Sequence, residues 1–64
     1  MSATIHLDIS EHFIGPRNVE AQDIIQIVPL LDGGCLVALR SIGVVKCRQT
    51  VEEITRQIME VAKK

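Results

Sequence analysis

The sequence predicts an α+β fold: an antiparallel β-meander of four or five strands with one C-terminal α-helix packed on one face. Three observations predict it. Apolar and polar residues alternate over residues 4–9, with Ile5, Leu7 and Ile9 on one side and Thr4, His6 and Asp8 on the other, the period of a half-buried strand. Glycine-bearing breaks at Gly15-Pro16, Asp32-Gly33-Gly34 and Ser41-Ile42-Gly43 separate short runs rich in β-branched residues. From residue 51 the spacing becomes helical, with Val51, Ile54, Ile58, Val61 and Ala62 on one stripe.

The elements follow in order. After the first strand, Ser10-Glu11-His12 breaks the alternation, and Phe13-Ile14 offers a second short strand before Gly15-Pro16 turns the chain. Residues 17–21 carry Val19 and Ala21 two apart, a weak strand; a helical alternative over residues 16–25 puts Pro16 in the first turn. Residues 24–29 read as a strand on their β-branched content, and Pro29 ends it or confines it to an edge, because proline donates nothing to a ladder. Residues 35–40 and 44–48 form a hairpin across a three-residue loop, Ser41-Ile42-Gly43, closed by Gly43 in the left-handed conformation. This loop sets Arg40 opposite Val44, Leu39 opposite Val45 and Val37 opposite Cys47, leaving Cys35 and Cys47 as diagonal neighbours. The helix spans residues 51–62. Thr50 and Glu53 make a capping box; Glu52 and Glu53 sit at the positive end of the helix dipole, Lys63 and Lys64 at the negative end. Glu52–Arg56 and Glu60–Lys64 are supporting pairs four residues apart.

Composition limits the function. The 64 residues suffice for a single domain, residues 1–64, with little room for a catalytic pocket. The apolar fraction is 47% and the charged fraction 23%, which excludes simple disorder, and no apolar run approaches the ~20 residues of a membrane span. The net charge is −1, so no basic excess draws the chain to nucleic acid. Charge is uneven all the same: residues 1–32 hold five acids against Arg17, residues 33–64 six bases against three acids. Met1-Ser2-Ala3-Thr4 runs into polar alternation without the apolar core of a signal peptide, so a cytoplasmic location with reduced thiols is the expectation.

The chemistry-bearing residues read as structural. His6, His12, Cys35 and Cys47 lack zinc-ligand spacing, and the two cysteines fall on the core face as small hydrophobes. Glu52 and Glu53 are explained by helix capping, and Asp32-Gly33-Gly34 lacks the lysine and following helix of a phosphate loop. No catalytic, cofactor-binding or metal-binding residues are assigned, and the chain is not expected to be an enzyme.

The hairpin is informative on both sides. Cys35, Val37, Leu39, Val45 and Cys47 form a wholly apolar face, the core. The other face holds Leu36, Ala38, Val44, Lys46 and Arg48. Leu36, Ala38 and Val44 are not an ordinary solvent face, and one helix cannot cover both sides of a sheet. They are the candidate self-association face, and a homo-oligomer, a dimer first, is the expected state, alongside an unknown protein partner. Arg40, Lys46 and Arg48 lie on the hairpin without an acid among them and are the candidate contacts of the alternative, a nucleic-acid-binding transcriptional regulator. Against that stands the expected absence of exposed aromatics for base stacking, the chain having a single Phe.

Residues 21–61 resemble the small bacterial flagellar protein FlbD family. The resemblance rests on "AQDIIQIVP", with Asp23-Ile24-Ile25 as the strand entry, a glycine-containing turn, the strand "CLVAL", a hairpin, and "RQTVEEITRQIMEV", with Thr50-Val51-Glu52-Glu53-Ile54 as the helix start. It implies a small non-enzymatic bacterial protein with a regulatory or assembly role. The outline is also similar to LytTR-type domains, where an Asp-Ile segment enters a strand and a hairpin and helix follow; that similarity would imply DNA binding.

Overall fold

A computed structural model describes residues 3–62 of the chain. Five strands and one helix follow in order: β1 (Thr4–Leu7), β2 (Arg17–Glu20), β3 (Ile24–Pro29), β4 (Cys35–Leu39), β5 (Gly43–Cys47) and α1 (Val51–Ala62). The fold is α+β, as the residue pattern predicts, but the strands form two antiparallel sheets, β1–β2 and β3–β4–β5, in place of one curved sheet. Lys63 and Lys64, expected at the helix C-terminal end, lie outside the described residues, as does the Glu60–Lys64 pair.

The two sheets part because β1 divides itself between two neighbours. Ile5 and Leu7 pair with Val19 and Arg17 of β2. Two residues on, Ile9 bridges to Cys47; Arg48 N–H donates to the Asp8 carbonyl at 3.0 Å and Ser10 N–H to the Lys46 carbonyl at 2.9 Å. The first strand therefore stops at Leu7, and the end of the expected 4–9 run crosses to β5. On the side away from β2 the main chain of His6 has no strand partner. Two side-chain amides supply one: Gln57 Oε1 accepts from His6 N–H at 2.9 Å, while Gln57 Nε2 and Gln49 Nε2 donate to the His6 carbonyl at 2.9 and 3.0 Å. Gln49 Oε1 also accepts from Asp8 N–H at 2.8 Å. A primary amide offers the same donor and acceptor as a peptide group, so these glutamines continue the ladder.

Residues 12–14 form a turn, not the short strand that Phe13-Ile14 offered. Segment 16–25 resolves as strand β2 followed by one 3₁₀ turn at Ala21–Asp23, not a helix. The hairpin register also differs from the expected one. The loop is Arg40-Ser41-Ile42, and Gly43, at φ 86°, opens β5 opposite Leu39. Val37 therefore faces Val45, and Cys35 directly faces Cys47 instead of lying diagonal to it. The offset is an even number of residues, so each side chain keeps its face.

Pro29 ends β3 at the edge of its sheet. Lys46 turns its N–H to Glu11 and its carbonyl to Ser10, away from β4, so by the alternation of an antiparallel ladder Leu36 bonds toward β3 at Val28. Its neighbour Pro29 then points its nitrogen out of the sheet, where no donor is missed.

The core is Ile5, Leu7, Ile9, Cys35, Val37, Leu39, Val45, Cys47 and Ile54. α1 lies across β1 and β3. Thr50 caps it, its hydroxyl accepting from Glu53 N–H at 3.1 Å. Ile54 is fully buried, with Val51, Ile58 and Val61 half-buried beside it, while Ala62, at the end of the stripe, is exposed.

Two substitutions test this framework. Gln57→Ala strips His6 of its amide partner and should lower unfolding free energy by about 0.5–1.5 kcal/mol in urea titrations. A Cβ on Gly34 would meet the Cys47 carbonyl oxygen at 2.6 Å. Because that atom is backbone inside the ladder, Gly34→Ala should cost about 1–3 kcal/mol by the same measurement.

Candidate functional site

The side of β3–β4–β5 opposite the core is built in two rows by the pairing. Val28, Leu36 and Lys46 form one; Gln26, Ala38 and Val44 form the other. Leu36 and Ala38 are half-buried by their neighbours alone, and Val44 is 63% exposed. Ile25, the extra residue where the β3–β4 register shifts, is 62% exposed beside them. Leu36, Ala38 and Val44 thus lie together on one surface. Leu31 and Ile42, in the turns at the two ends of the hairpin sheet, are also exposed. Of the large exposed hydrophobics, Val28 and Val44 belong to this surface, Leu31 and Ile42 to the turns at the ends of its sheet, and Ile25 to the irregularity in β3; Phe13 and Met59 lie elsewhere.

The basic residues are not gathered in the same way. Lys46 Nζ is 3.3 Å from Asp32 Oδ2, both side chains about half exposed. Asp32 is itself fixed: its Oδ1 accepts from Gly34 N–H at 3.0 Å. That hydrogen bond and the Lys46 ammonium hold the Asp32 carboxyl below its ordinary value of 3.8. Arg40 sits in the hairpin turn and Arg48 beyond the far end of β5, so a rise of about 3.3 Å per residue separates the two by the length of the strand. Arg48 and Lys46 share one end of the hairpin; Arg40 is closer to Arg17 of β2, across a surface cleft.

Cys35 and Cys47 are fully buried and free. Burial pushes the Cys35 thiol up. Burial, then Cys35, then Asp8 push Cys47 up to about 11. Both are thiols at neutral pH, a poor state for a nucleophile. His6 is exposed on β1, its Nδ1 3.0 Å from Asn18 Oδ1, and His12 is exposed in the turn. Among the described residues no group of three or more His, Cys, Asp or Glu is placed to hold a metal ion, and no helix is long and apolar enough to cross a membrane.

No family model, curated protein or solved structure matches the chain.

Sequence reasoning passed over Gln49, Gln57 and Leu31; it placed Phe13 in a short strand and expected no exposed aromatic, whereas Phe13 stands fully exposed in a turn. Gln57 carried one signal, its position three residues after Ile54 beside the apolar stripe. Leu31 gave none, since an apolar residue in a turn is ordinary until the turn is seen to hold it fully exposed.

The thiols generate a pH prediction. A folded value for Cys47 above the ordinary 9.0 means that its contribution is complete below about pH 9 and is lost as pH rises toward about 11. Urea midpoints should therefore fall across that alkaline interval, and Cys47→Ala should flatten the fall.

Proposed function

We propose that the chain is a small non-enzymatic interaction module, regulatory or assembly in role and acting in the cytoplasm, that pairs with a second copy of itself through the outer face of β3–β4–β5. The observation that carries the reading is the largely apolar side of a sheet whose other side is already closed by the β1 segment and α1, with Leu36, Ala38 and Val44 at its centre. Apolar surface in contiguous array is favourably removed from water, whereas single exposed hydrophobics need no explanation.

The size of the face sets the strength expected of it. Three strands about 4.8 Å apart and five residues long at about 3.3 Å each span roughly 240 Å² in projection. A standard interface buries about 800 Å² per partner. The three-stranded face therefore needs Ile25, Leu31 and Ile42 at its margin, and the pairing is of the weak, exchanging kind. The FlbD resemblance points the same way, since it implies a small non-enzymatic protein with a regulatory or assembly role. Lys46, at the corner of the face, is engaged by Asp32, which leaves less free charge for the nucleic-acid alternative.

Light scattering behind size exclusion, run from about 1 to 500 μM, should show a mass rising toward that of the dimer with micromolar affinity. Val44→Asp should hold the mass at the monomer value while leaving the circular dichroism unchanged. A wild-type mass independent of concentration over that range overturns the reading.

A further inference from the structure

The β1–β2 sheet has an open side. Ala21 N–H donates to the Ala3 carbonyl at 2.7 Å, and bonded and non-bonded pairs alternate along an antiparallel ladder. Val19 and Arg17 therefore bond to Ile5 and Leu7, while Asn18 and Glu20 turn their main-chain groups away from β1. His6, opposite Asn18, obeys the same alternation: its outward groups are those met by Gln57 and Gln49. Nothing equivalent serves β2. Among the described residues, the Asn18 N–H and C=O and the Glu20 N–H have no partner.

A cleft of about 590 Å³ lies beside this edge, with β2 on one side and Arg40, Ser41 and Ile42 of the hairpin turn on the other. Its acids already accept hydrogen bonds: Glu20 Oε2 from Gln22 Nε2 at 2.7 Å, and Asp23 Oδ2 from the Ser41 hydroxyl. Its two guanidiniums, Arg17 and Arg40, make no ion pair and no side-chain hydrogen bond among the described residues. Beside an unpaired strand edge, the cleft thus holds two guanidiniums with no acceptor of their own and two carboxylates that keep their charge but are already engaged.

We propose that the open edge of β2 takes an extended peptide segment of another protein as an added strand, and that Arg40 holds a carboxylate side chain of that segment from across the cleft. Main-chain bonding at Asn18 and Glu20 supplies the register, and the guanidinium, which matches a carboxylate with paired donors, supplies the preference for an acidic residue. A second copy offers no acidic excess to Arg40, because its own β2 edge brings Arg17 and Arg40 along with Glu20 and Asp23. The added strand pairs with β2, on a different sheet from the proposed dimer face; Ile42 borders both, so the two readings are told apart by the Asn18 and Glu20 amides on one side and the solution mass on the other.

The test is a nitrogen-15 chemical-shift titration of the intact protein with the capped peptide Ser-Val-Thr-Glu-Val-Thr-Ser and with its lysine-for-glutamate counterpart. The Asn18 and Glu20 amide resonances should shift and saturate with the acidic peptide near or below about 1 mM. The lysine peptide should bind about tenfold more weakly, and Arg40→Gln, with an otherwise unchanged spectrum, should remove the difference between them. The absence of a saturating shift at those two amides, or saturation mapped to another surface, overturns the proposal. So does a shift of the same amides that follows protein concentration without peptide, which would give the edge to a second copy.

Discussion

The polar joint at His6 is what lets one short chain build two sheets. β1 has β2 on one side and β5 on the other, and because β5 reaches back only to Asp8, the outward backbone groups of His6 are left without a strand to meet. Gln57 and Gln49 close that gap with amides presented from α1 and from the residue just before its cap. Apolar burial of Ile54 alone would tolerate some sliding or rotation of the helix, because the hydrophobic effect has no direction. Donor and acceptor on one amide, aimed at one peptide unit, do have direction. The helix is thus located by a polar contact and held by an apolar one, and the β1–β5 crossover at Ile9 depends on both.

From this joint follows the division of the hairpin's two sides. With α1 fixed over β1 and β3, the inward residues of β4 and β5 are closed from solvent to within a few per cent, Cys35 and Cys47 among them. Their thiols behave as small hydrophobes whose protons are retained by burial. The outward residues receive no such lid. Leu36 and Ala38 are covered only by the strands beside them, an environment in which β-branched and aliphatic side chains support a sheet without being sealed.

Much of this was legible in the residues. The helix span and the β3 span were readable because each has a chemical terminator: Thr50 offers a capping hydroxyl, and Pro29 withholds a donor. The faces of β1, β4 and β5 followed from period two, and the outward placement of Leu36, Ala38 and Val44 followed with them. The hairpin register was misread because Gly43 was taken as the last loop residue; its positive φ instead opens β5, with Arg40 in the loop. Alternation carries no information about an even offset, so the faces survived and the Cys35–Cys47 pairing did not. The glutamine joint was illegible for a different reason. Gln57 meets His6 across 51 positions of sequence, and a polar residue beside an apolar stripe has no periodic signature of its own. The basic residues of the hairpin look like one cluster when written in a line, yet the strand carries Arg40 and Arg48 to opposite ends.

Pro29 has a bearing on growth beyond the single molecule. Edge strands are templates for further strands, and a chain with two usable edges can be added to at both, which is the geometry of a fibre. Here the β3 margin is blunted by an imino ring just where a newcomer would seek an N–H, while the β2 margin stays receptive. A strand added at β3 therefore forgoes a bond at Pro29 that a strand added at β2 keeps.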